Sequence, residues 1–405
     1  MIIEFDEFSR ARSAADGQQV LRYLISNIEL KEGEQDGLTD EEFLSLCYCK
    51  RFCKYVSWDT IAGCIIGGAI GDALGLPVEF FADYQIFKQY GEQGITQLQL
   101  YGGVAHISDD TQMTLFTADG MLAAGEKCKN PTAEQYVQSI YESYLNWLYT
   151  QDHGAELPDG VRRSVLLDVQ ELHHQRAPGI TCLNALRGGT YGTLDVKVND
   201  SKGCGGIMRI APIAMYLAQQ QGYKTEDVAL LAARAAAITH THELGYIPAA
   251  YLAAVLVCIV RGDGVLKACR EAERIVIQLF PNAKGTSVCL NLVNKAIKLA
   301  CDDAEMDDLE AIRMLGEGWV AEETLAIAAY CALKYTENFE RAMIAAVNHS
   351  GDSDSTGAVT GNILGAYWGL KRLPQHMVEP IELKNLMIET AKKMQINQLS
   401  TEVGK

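Results

Sequence analysis

Two short acidic stretches carry the residue types that hold hard cations. One is Ser108-Asp109-Asp110-Thr111 and the other is Gly351-Asp352-Ser353-Asp354-Ser355. Each joins hydroxyls to two carboxylates, an all-oxygen set that suits Mg²⁺, Mn²⁺ or Ca²⁺ and does not suit zinc. Asp352 and Asp354 are two residues apart. On a helix such positions diverge, whereas on a turning or extended backbone they face one way. The acids therefore belong on a loop or a helix entry. Ala358, Val359, Ile363, Leu364, Tyr367 and Trp368 recur at helical spacing, so a helix follows. Free N–H groups and the dipole at a helix start favour carboxylates, and the plain alternative is two N-caps without chemistry. Two such clusters, far apart in the chain and each before a helix, favour a binuclear site. Paired cations there would hold substrate hydroxyls and activate a water.

Three further stretches could serve that site. In Gly71-Asp72-Ala73-Leu74-Gly75-Leu76-Pro77-Val78-Glu79, Asp72 stands near a helix end, where the dipole disfavours it, and Glu79 follows a proline turn. Lys202-Gly203-Cys204-Gly205-Gly206-Ile207-Met208-Arg209 is a glycine-rich loop whose N–H groups could cradle a phosphate, though the ending of a P-loop is missing. Thr239-His240-Thr241-His242-Glu243-Leu244-Gly245-Tyr246 lacks the HExxH spacing of zinc proteases. His240 and His242 are either polar ligand contacts or satisfied core histidines, and His349 shares that ambiguity. Asp352-x-Asp354-x-Thr356 also fits the haloacid dehalogenase phosphatase pattern. That pattern follows a buried strand, but Ala342–Val347 reads as helix. An EF-hand needs an acid where Ile363 stands.

The elements that must position these residues are helices. Helical periodicity covers Thr111–Gly125, Pro131–Tyr149, Ile207–Gln219, Thr225–Thr239, Leu244–Val260, Val265–Leu279, Ser287–Cys301, Ala321–Tyr335 and Asn338–Val347. Strand-like alternation is scarce, so the expected fold class is all-α. Gly63, Gly67, Gly71 and Gly75 recur every fourth residue, as do Gly357, Gly361, Gly365 and Gly369. Each set forms a bare stripe that admits another backbone, which places both helices deep in one core. Residues 151–206 are irregular and a candidate functional segment. Residues 1–56 form an acidic arm: up to Glu42, eleven acids face four basic residues. Helical spacing from Val20 to Ile28 and a capping box from Thr39 to Glu42 suggest two helices there. Cys47, Cys49 and Cys53 match no zinc spacing. The expected body is 57–375, with 376–405 as its C-terminal helical tail.

The 405 residues carry a formal charge of −17, which argues against non-specific binding to nucleic acid or an anionic membrane. Twelve cysteines without a disulfide cadence suit reduced thiols and a cytoplasmic setting. No basic leader with an apolar run opens the chain. The apolar runs Ile61–Gly71 and Tyr246–Val260 fall short of the ~20 residues of a membrane span.

Taken in order, Gly71-Asp72-Ala73-Leu74-Gly75 with Glu79, Ser108-Asp109-Asp110-Thr111, the Met208-Arg209 loop, Thr239-His240 with Leu244-Gly245-Tyr246, and Gly351 to Ser355 resemble the ADP-ribosylglycohydrolases over roughly 57–373. The resemblance implies an all-α fold around two Mg²⁺ or Mn²⁺ ions. By motif matching, Ser108, Asp109, Asp110, Asp352, Asp354 and Ser355 would be the metal ligands, and Glu79, Asp110 and Asp354 the catalytic acids. Glu79 would position the attacking water or gate the site. Asp72, Gly203, Cys204, Gly205, Gly206, Met208, His240 and Tyr246 would line the ligand cleft. The implied reaction removes ADP-ribose from a modified protein side chain, most simply arginine. The family usually has Asn where this chain has Cys204. The arm also resembles the N-terminal extension of glycohydrolase-type immunity proteins, which implies an ADP-ribosyltransferase toxin as a partner of residues 1–56. A toxin-binding protein with hydrolysis secondary, and a phosphohydrolase, are the competing readings.

Overall fold

The structure, a computed structural model, describes residues 56–152, 156–220, 222–302 and 306–396. The acidic arm before Val56, its two expected helices and its three cysteines lie outside the described residues. From Val56 onward the chain forms one compact unit.

The unit is built on two long helices that touch backbone to backbone. Helix α1 spans Trp58–Gly75 and is capped by Ser57, whose hydroxyl accepts from the Thr60 N–H. Further elements follow in order: α2 (Asp83–Tyr90), α3 (Asp109–Lys127), α4 (Ala133–Gln151), α5 (Ile180–Arg187), α6 (Ala211–Leu217), α7 (Thr225–Ala237) and α8 (Glu243–Val260). Then come α9 (Val265–Leu279), α10 (Lys284–Cys301), α11 (Asp308–Arg313), α12 (Ala321–Lys334), α13 (Phe339–Val347), α14 (Ser353–Trp368), α15 (Gln375–Val378) and α16 (Lys384–Met394). The class is all-α. A two-residue antiparallel ladder, β1 (Leu100–Tyr101) with β2 (Val104–Ala105), is the one small sheet among the described residues.

The two glycine stripes do meet, and they meet antiparallel. A Cβ added at Gly63 would lie 2.5 Å from the Gly365 carbonyl oxygen, at Gly67 2.4 Å from that of Gly361, and at Gly71 2.0 Å from that of Gly357. At these positions no side chain fits between α1 and α14. Glycine costs about 1 kcal/mol per helical position, and the close backbone contact offsets it. Asn362 ties the pair further by donating to the Cys64 carbonyl at 2.9 Å. The consequence is positional. The last turn of α1, with Asp72, lies beside the first turn of α14, with Asp354.

The other helices wrap this pair. α12 and α13 cover α14, α16 lies on α1, and α3 pairs with α4 and α7 with α8. α1 continues through a short 3-10 turn, and 89% of an 18-residue window of the apolar stretch Trp58–Val78 is buried, as is 94% of α8. Both are long and apolar enough to cross a membrane, and in this fold both are core helices. The segment after α15 straps the approach to the first acid cluster. Ala105 and residues 380–382 exchange backbone bonds, and Glu382 accepts from the Ile107 N–H at 3.2 Å. Arg176 grips both Glu382 oxygens and donates to the Ile107 carbonyl.

Candidate metal and ADP-ribose site

Asp72 is fully buried at the end of α1, where its own helix dipole disfavours it. Its oxygens are used by the start of another helix. They accept from the Ser108 N–H at 2.8 Å, the Thr111 N–H at 3.1 Å and the Thr111 hydroxyl. The sequence reading placed Asp72 among ligand contacts; the structure gives it the task of holding the entry of α3. With that entry fixed, Ser108 caps α3 by accepting from the Asp110 N–H at 3.2 Å, and its side chain helps to offset the raised carboxyl of Asp354. Asp109 accepts from the Gly179 N–H at 3.0 Å, while one oxygen of Asp110 is buried with no partner.

The second cluster is set by Gly351, whose φ of +115° turns the chain into α14. A Cβ there would lie 2.0 Å from the Glu317 carbonyl oxygen, so glycine is required twice over. Asp352 caps α14. It accepts from the Ser355 N–H at 3.2 Å and from the Cys204 thiol at 2.7 Å. Asp354 accepts from the same Ser355 N–H at 2.9 Å. Glu79 reaches this point from the turn after α1. Oxygens of Glu79, Asp352 and Asp354 all lie within 4.8 Å of one another, and one Glu79 oxygen is buried without a partner. Asp109 and Asp110 stand outside that triplet but feel it, since Asp354 is among the charges acting on both.

The electrostatics follow from burial and crowding. Burial first, then the neighbouring Asp354, Asp352, Asp109 and Asp72, push the Glu79 carboxyl up to about 10. Burial and Asp354 raise Asp72 to about 7. Asp109, Asp110 and Asp354 are driven well above the usual carboxylate range by the same causes, and Asp352 is raised. Buried like charges with idle oxygens are costly unless a cation meets them. The donor set is all oxygen, and one carboxylate oxygen each of Glu79 and Asp110 is buried without a partner. The residues fit a hard divalent cation.

Beside the acids lies the glycine-rich turn. Its Gly203, Cys204, Ile207 and Met208 N–H groups are spent internally, on Ser201, Trp319 and the Cys204 carbonyl. They are therefore not free for a phosphate. Gly205 and Gly206 allow close packing instead: a Cβ at Gly205 would lie 2.9 Å from His240, and one at Gly206 2.7 Å from the Gly245 carbonyl. Met208 is buried in the core. His240 is held by a chain of three. The buried Arg209 guanidinium donates to the Thr239 hydroxyl at 2.6 Å, and that hydroxyl meets His240 Nδ1 at 2.8 Å. Arginine only donates, so the Thr239 oxygen accepts from it and keeps its own hydrogen available to Nδ1. Burial, then Arg209, lowers His240 to about 3, so the ring is neutral. Nε2 faces the Gly203–Gly205 turn. Tyr246 sits in the first turns of α8 with its ring tilted against Phe280.

His242 is resolved as a helix cap, accepting from the Leu244 N–H at 3.0 Å. His349 turns its ring nitrogens to the carbonyls of Ser350 and Ala346. Gly179 and Arg176, which order the α3 entry from the irregular segment, carried no motif of their own.

The family model of the ADP-ribosylglycohydrolases matches residues 56–403. The chain belongs to the ADP-ribosylglycohydrolase family. It is an enzyme of that class, acting on the glycosidic bond of ADP-ribose. It is 27% identical over 357 residues to the ADP-ribosyl-[dinitrogen reductase] glycohydrolase of Rhodospirillum rubrum, covering 85% of this chain and 97% of that one. It is 24% identical to ADP-ribosylhydrolase ARH3 of Danio rerio, over 77% of this chain and 83% of that one. It is also 24% identical to the ADP-ribosylarginine hydrolase Tri1 of Serratia proteamaculans, over 80% and 76%. A solved ADP-ribosylglycohydrolase-related protein complex has the same fold, with a TM-score of 0.55 at 24% identity, covering 84% of this chain and 98% of that one.

Proposed function

We propose that this enzyme is a metal-dependent hydrolase that removes ADP-ribose from arginine side chains of modified proteins, with two Mg²⁺ or Mn²⁺ ions bound between α3 and α14. The observation that carries the metal is the buried triplet Glu79, Asp352 and Asp354 within 4.8 Å, with idle oxygens on Glu79 and Asp110. Arginine is supported by the names of relatives, above all the arginine hydrolase of Serratia. Ser108, Asp109, Asp110, Asp352, Asp354 and Ser355 would hold the ions. When bound, they would supply Lewis-acid polarisation of ribose oxygens and a water of lowered pKa.

The protein's own groups do the rest. Hydrolysis forms a bond from water oxygen to the anomeric carbon and breaks that carbon's bond to a guanidinium nitrogen. One water proton ends on the leaving nitrogen. Glu79, the one triplet member that does not belong to the entry of α14, is placed to hold the attacking water and carry that proton. Asp72 and the Arg176–Glu382 strap fix the α3 acids, and the glycine contact fixes the α14 acids, so little reorganisation remains. His240 Nε2–H can donate to the nucleotide where it crosses the glycine turn. A phosphohydrolase of the dehalogenase type would need a strand before Asp352, and α13 stands there.

The test is release of free ADP-ribose from ADP-ribosyl-arginine protein with Mg²⁺ or Mn²⁺, with and without chelator. Release that chelation abolishes supports the reading. Release from serine-linked but not arginine-linked substrate overturns the arginine assignment, and release untouched by chelator overturns the metal.

A further inference from the structure

An aromatic pair at the rim of the acid site is left open by the fold. Phe80 is 70% exposed and Trp319 38% exposed, yet their rings stack with centroids 5.7 Å apart and planes 24° apart. Each ring is anchored on a different wall of the site. Phe80 directly follows Glu79 of the carboxylate triplet. The Trp319 carbonyl accepts from the Cys204 N–H at 3.3 Å, and the Cys204 thiol donates to Asp352. The Trp319 segment also lies on Asp352 itself. The Glu317 carbonyl accepts from the Asp352 N–H at 2.8 Å, and a Cβ at Gly318 would meet the Asp352 carbonyl oxygen at 3.3 Å. The stacked pair therefore joins the segment that carries Glu79 to the segment that lies on Asp352.

Exposed aromatic surface rimmed by polar groups marks a binding face. What it binds follows from where it stands. If the bond to be cut lies over the triplet, the group on the far side of that bond meets the residue next to Glu79, which is Phe80. For an arginine-linked substrate that group is a guanidinium, which is planar, cationic, weakly hydrated and stacks on aromatic faces. The exposed Glu317, beside Gly318 and Trp319, adds opposite charge. We propose that Phe80 and Trp319 form a platform that holds the guanidinium of the arginine from which ADP-ribose is removed. This rests on the arginine-hydrolase reading above. The platform selects the linked residue, because a serine linkage offers no planar cation to stack.

The full chain with Mn²⁺ is assayed as wild type, Phe80→Ala, Trp319→Ala and the conservative Phe80→Tyr. Both positions are exposed, and melting curves confirm that the variants fold. Two constants are read: KM for ADP-ribosyl-arginine protein, and the inhibition constant of free ADP-ribose. Wild-type release of ADP-ribose is scored first, and its absence overturns the functional reading together with the platform. With release established, the alanine variants raise KM about 5–30-fold, the range of a cation partly or fully desolvated on an aromatic face. Phe80→Tyr stays near wild type, and the ADP-ribose inhibition constant moves less than about twofold, within the scatter of surface substitutions. An unchanged KM overturns the platform alone. A matching loss of ADP-ribose affinity also overturns it, and assigns the rings to the nucleotide base.

Discussion

Replacing Gly71 by alanine tests whether the acid site depends on the contact between α1 and α14. A Cβ at 71 would lie 2.0 Å from the Gly357 carbonyl oxygen and 2.2 Å from its carbon. Non-bonded carbon contacts settle near ~3.5–4.0 Å, so the helices must part locally by more than about 1 Å. Overpacking of this kind costs about 1–3 kcal/mol. The opposing atoms are backbone in buried helices, so no rotamer change relieves the clash and the upper end applies. Alanine's helix propensity returns about 1 kcal/mol, leaving a net loss of about 2 kcal/mol. At roughly 2 cal/mol/K per residue of unfolding entropy, a unit of this size should melt about 3 °C lower. Activity should fall further than stability. Gly71 adjoins Asp72, which holds the α3 acids, and Gly357 lies in the turn after Asp354. A displacement of ~1 Å at a catalytic group costs on the order of 100-fold. The assays are thermal melting and ADP-ribose release. Gly264→Ala is the control, since a Cβ there meets nothing within 4 Å. A Gly71→Ala protein that melts and turns over like wild type would refute the argument.

Other perturbations read other parts of the account. The acids that the fold raises, Asp72 to about 7 and Glu79 to about 10, hold more protons folded than unfolded. Chelated protein should therefore be most stable below the unfolded carboxylate value near ~4 to 5 and lose stability as pH rises toward 8, with divalent cation flattening that slope; melting temperature against pH with and without chelator measures it. Thr239→Val strands the buried Arg209 donors and releases the His240 tautomer. It should cost about 1–3 kcal/mol in denaturant unfolding and raise KM, whereas Thr239→Ser keeps the hydroxyl and should cost less than half of that. Cys204→Ala removes the thiol that donates to Asp352, and should weaken cation affinity severalfold, whereas Cys204→Asn restores a donor and should recover it; a cation titration followed by calorimetry distinguishes the two.

The elements with regular periods were legible in the chain. Fourfold glycine spacing marked both central helices, and the two acid clusters were each read as helix entries. The structure bears out both placements. What periodicity cannot show is which faces meet. Asp72 was read beside its own helix end, but its partners lie 36 and 39 residues away at the start of α3, where its charge is favoured. Glu79 was placed near the acids by the family resemblance, because a proline turn gives direction only in three dimensions; the fold brings it within 4.8 Å of Asp352 and Asp354. The glycine-rich turn was read for its N–H groups, and the fold spends those of Gly203, Cys204, Ile207 and Met208 on the Ser201 hydroxyl and on the carbonyls of Trp319 and Cys204. α5 was hidden in a stretch full of glycine and proline, and its neighbours Arg176 and Gly179 act through one side chain and one backbone N–H that no local pattern announces. Phe80 and Trp319 are distant in sequence, and only the fold stacks them.

The central claim is that the acids at the start of α3 and those at the start of α14 make one cation site. The direct measurement is Mn²⁺ binding by titration calorimetry at pH 7.5 on wild type, Asp109→Ala and Asp352→Ala, each checked for folding. The account predicts about two ions per wild-type chain and a loss of binding in both variants, although each removes an acid from a different cluster. Wild type that binds no ion, or a loss confined to one variant, would contradict it.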